Sequence, residues 1–331
     1  MGINHRARQA VKRILLGPSD FPQQCVVGLT NPQSEITVWL HGLGTPRDVT
    51  SNHLMACGAP FIIGIGFEGK ENTLPMGKSG LSLRLRERGG DQQLLGEIGL
   101  QYNSTLVVGT QQLCLFQIRN YRNYCLSKPR LWARYLQYAR MQQGTHHSDV
   151  PITTREVHAM IVFYFCPRPV VLVSVEDGDR KNMFPMNLMG PIGNDYFAFA
   201  LNSSRAVAPL VESAGKVALS SVPVEHASIV RQLGCNHKKA SIEWNELKFA
   251  TTHSPTIGVQ VPEFALRVRE MQVEAARRIG SHTLFVAKTI SDNHLTDGLQ
   301  FFVVHGIYQA WRQKLARPDI TALPITGNAS G

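Results

Sequence analysis

Asn202, Ser203, Ser204 and Arg205 stand together directly after an apolar run, Tyr196 to Leu201. Two hydroxyls and a guanidinium at one point, with free backbone N–H groups if a helix starts at Ala206, supply several donors and a positive charge. Those are the requirements for holding a phosphate. Other motifs promise less. Gly64-Ile65-Gly66-Phe67-Glu68-Gly69 has the spacing of a dinucleotide fingerprint, but Lys70 to Gly80 is full of turn residues where a helix must begin, so a strand with glycine bends is expected. Gly77-Lys78-Ser79 resembles the end of a P-loop, yet Asn72 stands where the first glycine belongs. His41-Gly42-Leu43-Gly44 resembles an oxyanion loop without any G-x-S-x-G nucleophile to serve, and reads as a turn. His146, His147 and His158 lie near Asp149 with no cysteine or glutamate at zinc spacing, so a solvated linker is expected and no metal site.

The elements that position the phosphate-type cluster are extended. Pro167-Arg168-Pro169 leads into a β-branched run, Val175 to Asn182 brings turn chemistry, and Asn182 to Leu188 forms a second extended segment before the run that ends at Leu201. Strands are expected near 24–30, 35–40, 60–66 and 104–109 in the first half, and near 169–176, 182–188, 196–202, 216–222, 282–290 and 300–305 in the second. Ala206 to Ser213 and His226 to Leu233 have the apolar spacing of short helices. Phe264 to Arg278 admits either a helix or a long bent strand. The fold class is mainly β, antiparallel, with peripheral helices.

The segments from Pro167 to Arg205, with Gly280-Ser281-His282-Thr283-Leu284-Phe285-Val286 and His305-Gly306-Ile307-Tyr308, resemble the flavin reductase-like family of FMN-binding split β-barrels. The resemblance covers roughly Val157 to Arg312. It departs from the family pattern at Asn187 and Met189, where relatives often carry small hydroxyl residues, and at Asn194-Asp195-Tyr196, which replaces aspartate-proline-proline. The resemblance implies an FMN site. Backbone from Pro185 through Met186, Asn187, Leu188 and Met189 to Gly190 would face the ring edge, Asn182 and Asn187 would offer amide contacts, and Asn202, Ser203, Ser204 and Arg205 would hold the ribityl phosphate. His282 would stand near the open face as the catalytic candidate, or else cap a strand end. NADH or NADPH is implied as electron donor, received without a Rossmann domain, and the protein would contribute placement and electrostatics.

Composition fits that class. The chain has 331 residues, 43% of them hydrophobic, enough for one large or two ordinary cores. No window approaches the roughly eighteen apolar residues of a membrane span. Cys25, Cys57, Cys114, Cys125, Cys166 and Cys235 are scattered without a C-x-x-C, as buried thiols of a cytoplasmic protein would be. A net charge of +10 suits nucleic acid, an anionic surface or small phosphorylated ligands alike. Met1 to Pro18 is basic, reads as a surface helix rather than a transit peptide, and Pro318 to Gly331 reads as a loose tail.

Weak internal echoes point to a tandem duplication. Thr50 to Gly64 echoes Pro185 to Ala198, Ser104 to Gly109 echoes His282 to Ala287, and Trp132 parallels Trp311. The expected division is a diverged split-barrel-like domain with a linker helix over 1–148, an FMN-binding split barrel over 149–316, and a tail over 317–331. The two barrels would form an intramolecular pseudo-dimer in place of the family's homodimer. The first half carries Glu68 and Lys70 where the second has its serines, so its own flavin site is expected to be lost. Gln117 to Arg140 interleaves arginines with tyrosines and Trp132, which suits an interdomain helix, a wall of the pocket, or a single-stranded nucleic-acid groove. Three functions stay open: a reductase supplying reduced flavin to a partner oxygenase, a flavoenzyme acting on a small organic substrate, and a flavin- or ligand-binding pseudo-dimer without turnover. Nucleic-acid binding is the remaining alternative.

Overall fold

The computed structural model describes residues 24–30, 35–68, 77–89, 91–142, 152–314 and 322–323. The basic segment Met1 to Pro18, Lys70, the His146-His147 pair with Asp149, and the tail apart from 322–323 lie outside the described residues. In chain order the strands are β1 (Gln24–Leu29), β2 (Ile36–His41), β3 (Arg47–Asp48), β4 (His53–Cys57), β5 (Ile62–Glu68), β6 (Ser82–Glu87), β7 (Leu94–Val108) and β8 (Gln111–Asn123). Helices α1 (Lys128–Gln142) and α2 (Thr154–Phe163) follow. Then come β9 (Arg168–Pro169), β10 (Val171–Asp177), β11 (Arg180–Met186), β12 (Met189–Pro191), β13 (Tyr196–Asn202), α3 (Val207–Ala214), β14 (Lys216–Ser221) and α4 (Ala227–Gln232). The chain closes with β15 (Thr251–His253), β16 (Gln260–Pro262), β17 (Arg267–Ile279), β18 (His282–His294), β19 (Gln300–His305), α5 (Gly306–Lys314) and β20 (Ala322–Leu323).

Two sheets of seven strands repeat one connectivity. The first runs β3-β2-β6-β7-β8-β5-β4 and the second β11-β10-β14-β17-β18-β13-β12. Matched in chain order, each strand of one sheet has a counterpart at the same place in the other. The fold is therefore mainly β, two curled half-barrels in tandem. β1 and β19, from opposite ends of the chain, pair along their whole length and tie the repeats together.

Register identifies equivalent residues. Glu68 pairs with Gln111 as Asn202 pairs with His282, so Glu68 stands in the first repeat where Asn202 stands in the second. This agrees with the absence of a serine-rich turn there, although the residues directly after Glu68 lie outside the described ones. The echo between Ser104–Gly109 and His282–Ala287 is corrected, because it joins β7 to β18, whereas the counterpart of β18 is β8. Both hairpins are made of β-branched and apolar residues, so composition alone matched the wrong arm.

β5 and β13 are buried on both faces. Inward, Ile63, Ile65 and Phe67 fill the first barrel, while Phe197, Phe199 and Leu201 fill the second. Phe199 stacks on its cross-strand partner Phe285 at 5.1 Å, worth about 0.5–1.5 kcal/mol beyond its area. Outward, small residues let the barrels meet. A Cβ on Gly66 would lie 2.8 Å from the backbone of Ile192, and Ala198 and Ala200 lie in the cluster shared by both barrels. The glycine pattern that mimics a dinucleotide fingerprint is thus a strand face stripped for close packing.

Phe264 to Arg278 resolves as the long strand β17, bent by register shifts at Glu270/Met271 and Val273/Ala275. Helix α2 begins with a capping box. The Thr153 hydroxyl accepts from Glu156 N–H, and Glu156 accepts from Thr153 N–H while its other oxygen accepts from Phe61 N–H at 3.0 Å. One carboxylate therefore starts the helix and anchors it to the β4–β5 turn. His158, read as linker, sits in this helix with its ring stacked on Tyr135 at 3.5 Å and bonded to the Tyr121 hydroxyl at 2.6 Å. Within Gln117 to Arg140 those two tyrosines are packing residues.

Candidate flavin site and adjoining cavity

Asn202 to Arg205 turns the chain from β13 into α3. The Asn202 side-chain oxygen accepts from Ser204 N–H at 2.9 Å and from its hydroxyl at 2.8 Å, closing an Asx-type turn. The Ser203 hydroxyl meets that of Thr283 at 3.0 Å, and Ser203 N–H donates to the Ser281 carbonyl at 2.9 Å. No side chain caps the first turn of α3, and the Arg205 guanidinium bonds none of the described residues. Ala208 N–H closes on the Arg205 carbonyl at 3.2 Å and Pro209 has no N–H, so the turn offers a phosphate the backbone N–H groups of Ala206 and Val207 beside an uncommitted cation.

His282 shares the end of β18 with this turn. Its Nδ1 accepts from the Ser281 hydroxyl at 2.8 Å and from Gly58 N–H at 3.4 Å, and lies 3.6 Å from the Cys57 sulfur. Burial pushes its pKa down to about 4, so the ring is neutral near pH 7 and carries its proton on Nε2. Such a ring can donate a hydrogen bond but holds no transferable proton at neutral pH. It stands at the junction with the first barrel, where Ser281 N–H donates to the Ala59 carbonyl at 2.8 Å.

The strip from Pro185 to Gly190 divides. Pro185 offers its carbonyl to His237 Nε2 at 2.8 Å, and Arg205 is near enough to help burial lower the His237 pKa, so the strip's start and the phosphate-type turn belong to one neighbourhood. Met186 is buried in the second barrel core, Asn187 bonds the Tyr164 hydroxyl, and Leu188 accepts from Ala200 N–H at 2.9 Å. Met189 and Gly190 line a separate cavity. Gly190 must be glycine, since a Cβ would stand 2.8 Å from the His53 carbonyl of β4. Asn182 requires correction. It is fully buried, and its amide donates to the carbonyls of Asn236 and Lys239 at 3.2 and 2.9 Å, clamping the segment Leu233–Lys238 against β11.

The cavity, about 640 Å³, opens where the second barrel is split. Val171, Met189, Phe197 and Leu219 form its apolar floor, and Ser51 and His53 reach over from the first repeat. Sequence reasoning did not single out its polar members. Arg168 is buried, with its guanidinium 3.9 Å over the Phe163 ring and donating to His53 Nε2 at 2.5 Å and to the His53 carbonyl at 3.3 Å. His53 Nδ1 in turn donates to the Val49 carbonyl at 2.7 Å. Burial, then Arg168, lowers the His53 pKa well below its ordinary value, which leaves the ring neutral and the whole positive charge on Arg168. The Pro-Arg-Pro run marked a strand start, but the partner that defines the arginine's role lies over a hundred residues earlier, at His53.

Residues 163–303 match the family model of the flavin reductase like domain. Among solved structures, the chain is similar to an FMN-binding protein from Thermus thermophilus with bound 1-cyclohex-2-enone (19% identity, 45% of this chain and 79% of that one, TM-score 0.37). It is also similar to the NADH:FAD oxidoreductase SgcE6 of Streptomyces globisporus C-1027 (13% identity, 49% and 95%, TM-score 0.41). A third is BorF, the flavin reductase component of a bacterial two-component tryptophan halogenase (14% identity, 51% and 99%, TM-score 0.40). Comparison with curated proteins gave no match. Residues 163–303 thus form a flavin reductase-like domain. No helix among the described residues is long and apolar enough to cross a membrane.

Proposed function

We propose that this protein is a flavin-dependent oxidoreductase that holds FMN in its second repeat, with Ser203, Ser204 and Arg205 at the phosphate. The observation that carries the reading is the uncommitted Arg205 beside the uncapped start of α3, within a domain of this family. Bound flavin would supply reversible hydride chemistry, with NADH or NADPH as donor and a small organic substrate or a partner oxygenase as acceptor. The chain's own part is to bind and orient. Arg205 and the α3 N-terminus neutralise the phosphate, Asn202 fixes the turn, backbone near Pro185 to Gly190 lines the approach, and neutral His282 donates from Nε2. The same reading takes the chain as two repeats divided near residue 148, with α2 strapped back onto β7 and β8 of the first.

A titration of the purified protein with FMN, followed by flavin absorbance and fluorescence, tests the binding. Anaerobic addition of NADH or NADPH then tests the chemistry. Saturable binding lost in Arg205→Ala, with bleaching by the nicotinamide, is expected. Absence of wild-type binding would remove the cofactor from the reading. A binding pseudo-dimer without turnover is the second reading, favoured by His237, which occupies the Pro185 carbonyl from the clamped segment; it predicts binding without bleaching.

A further inference from the structure

We propose that the cavity in the split of the second barrel binds a small organic carboxylate, its apolar body on Val171, Phe197 and Leu219 and its charged end at Arg168. The site goes beyond the flavin reading and does not depend on it. Arg168 is 95% buried by its 5% relative exposure, and no carboxylate bonds it. A guanidinium has five N–H groups. Two are spent on His53, and Nε is buried without any acceptor. An uncompensated buried charge costs several kcal/mol. The Phe163 face and the neutral His53 ring offset part of that, but neither carries a negative charge.

The other charges around the cavity are spoken for. Arg267 and Arg269 both bond Asp292, Arg269 lies 4.0 Å over the Phe197 ring, and His294 bonds the exposed Asp297 at 3.0 Å. Arg267 and Arg269 share Asp292 and Asp297 is engaged by His294, so Arg168 is the arginine lining this cavity that no carboxylate among the described residues touches. A planar guanidinium edge matches a carboxylate, and the aliphatic and aromatic side chains of Val171, Phe197 and Leu219 suit the apolar body of an organic acid rather than a wholly polar inorganic anion. The volume of about 640 Å³ lies within the usual range of small-molecule sites, roughly 300–1,000 Å³.

The test is calorimetric titration of the full chain with benzoate, with benzamide as the neutral isostere and inorganic phosphate as the competing anion, all at constant ionic strength. Benzoate is expected to bind saturably, and benzamide and phosphate at least tenfold more weakly. Arg168→Met is expected to weaken benzoate at least tenfold, and Arg168→Lys to keep part of the affinity. Because Arg168 also joins the two repeats, a second variant is needed that spares it. Ser51→Trp, at an exposed residue on the cavity wall, is expected to lose benzoate binding with an unchanged circular dichroism spectrum. Equal response to benzoate and benzamide, preference for phosphate, or full benzoate affinity in Ser51→Trp would each overturn the proposal.

Discussion

A Cβ on Gly280 would stand 2.3 Å from the carbonyl oxygen of Ala59, so the tip of the β17–β18 hairpin meets the β4–β5 turn with no room for a side chain. The contact is reciprocated. Gly109, at the equivalent tip of the first repeat, would place its Cβ 2.5 Å from the Tyr196 hydroxyl at the start of β13. Each repeat thus docks its hairpin tip on the other's turn, as the two members of a two-fold dimer would. Gly280→Ala is expected to strain this junction. Gly178→Ala is the control, because Gly178 has a similar φ, +59° against +53°, and open space around it. The control should cost about 1–2 kcal/mol for its left-handed backbone alone, and Gly280→Ala about 1–3 kcal/mol more for overpacking. Urea unfolding midpoints measure both, and equal losses would contradict a steric junction.

Arg205 lies close enough to His237 that its charge helps keep that ring neutral. Removing the cation should let the His237 pKa rise, a shift that proton NMR reads without any ligand. In the same Arg205→Ala variant, FMN affinity should fall about 10- to 100-fold, the loss of one charge-assisted bond of about 1.5–3 kcal/mol. Arg205→Lys should recover part of the affinity. If the His237 pKa moves while FMN binding does not, the cation is near the turn but not at a phosphate.

The second repeat was legible where pattern and turn chemistry agree. Tyr196–Asn202 and Gln300–His305 coincide with their expected strands, because large residues alternate along the first and a buried run is bounded by polar residues in the second. β6 escaped notice because Arg84 and Arg86 on its outer side dilute the apolar signal of Leu83 and Leu85. β8 was obscured by the arginines and tyrosines after Ile118, and its pairing with β5 and β7 depends on long-range partners that local spacing does not contain. The same limit applies to the candidate site. The phosphate-type turn is contiguous and could be read directly. The clamp of Asn182 on Asn236 and Lys239, the contact of His282 with Gly58, and the pairing of Arg168 with His53 exist only after tertiary folding.

Thiol reactivity separates the six cysteines. Cys25, Cys57, Cys114, Cys125 and Cys166 are buried, and Cys235 is exposed beside the clamped segment. Burial also raises the pKa of Cys25 to about 11 and pushes that of Cys125 higher still, so neither supplies thiolate at neutral pH. An aromatic disulfide reagent at pH 8 should therefore release about one fast equivalent from the native protein and six after denaturation. Two or more fast equivalents would mean that at least one of the five buried thiols is accessible in the native protein.

Acid should unfold the protein through its histidines before its carboxylates. Burial holds His158 and His282 down to about 4 and His305 down to about 3, and lowers His53 and His237 as well. The unfolded chain binds protons at each near the ordinary value of about 6.5, where the folded protein does not. Stability from these groups is therefore complete above about pH 6.5, declines as pH falls toward 4, and levels only below the folded values. The steepest contribution is about 1.4 kcal/mol per pH unit for a fully buried ring such as His305. Glu270, held down to about 2 by its hydrogen bonds against the opposing effect of burial, adds its own loss only below the ordinary glutamate range. Between pH 6.5 and 4.5 the slope thus belongs to the histidines. His158→Phe should lower stability by a constant amount, since Tyr121 loses its partner, while flattening the dependence of the urea midpoint on pH in that window. An offset with an unchanged slope would show that His158 protonates in the folded protein, against the burial that its stack on Tyr135 imposes.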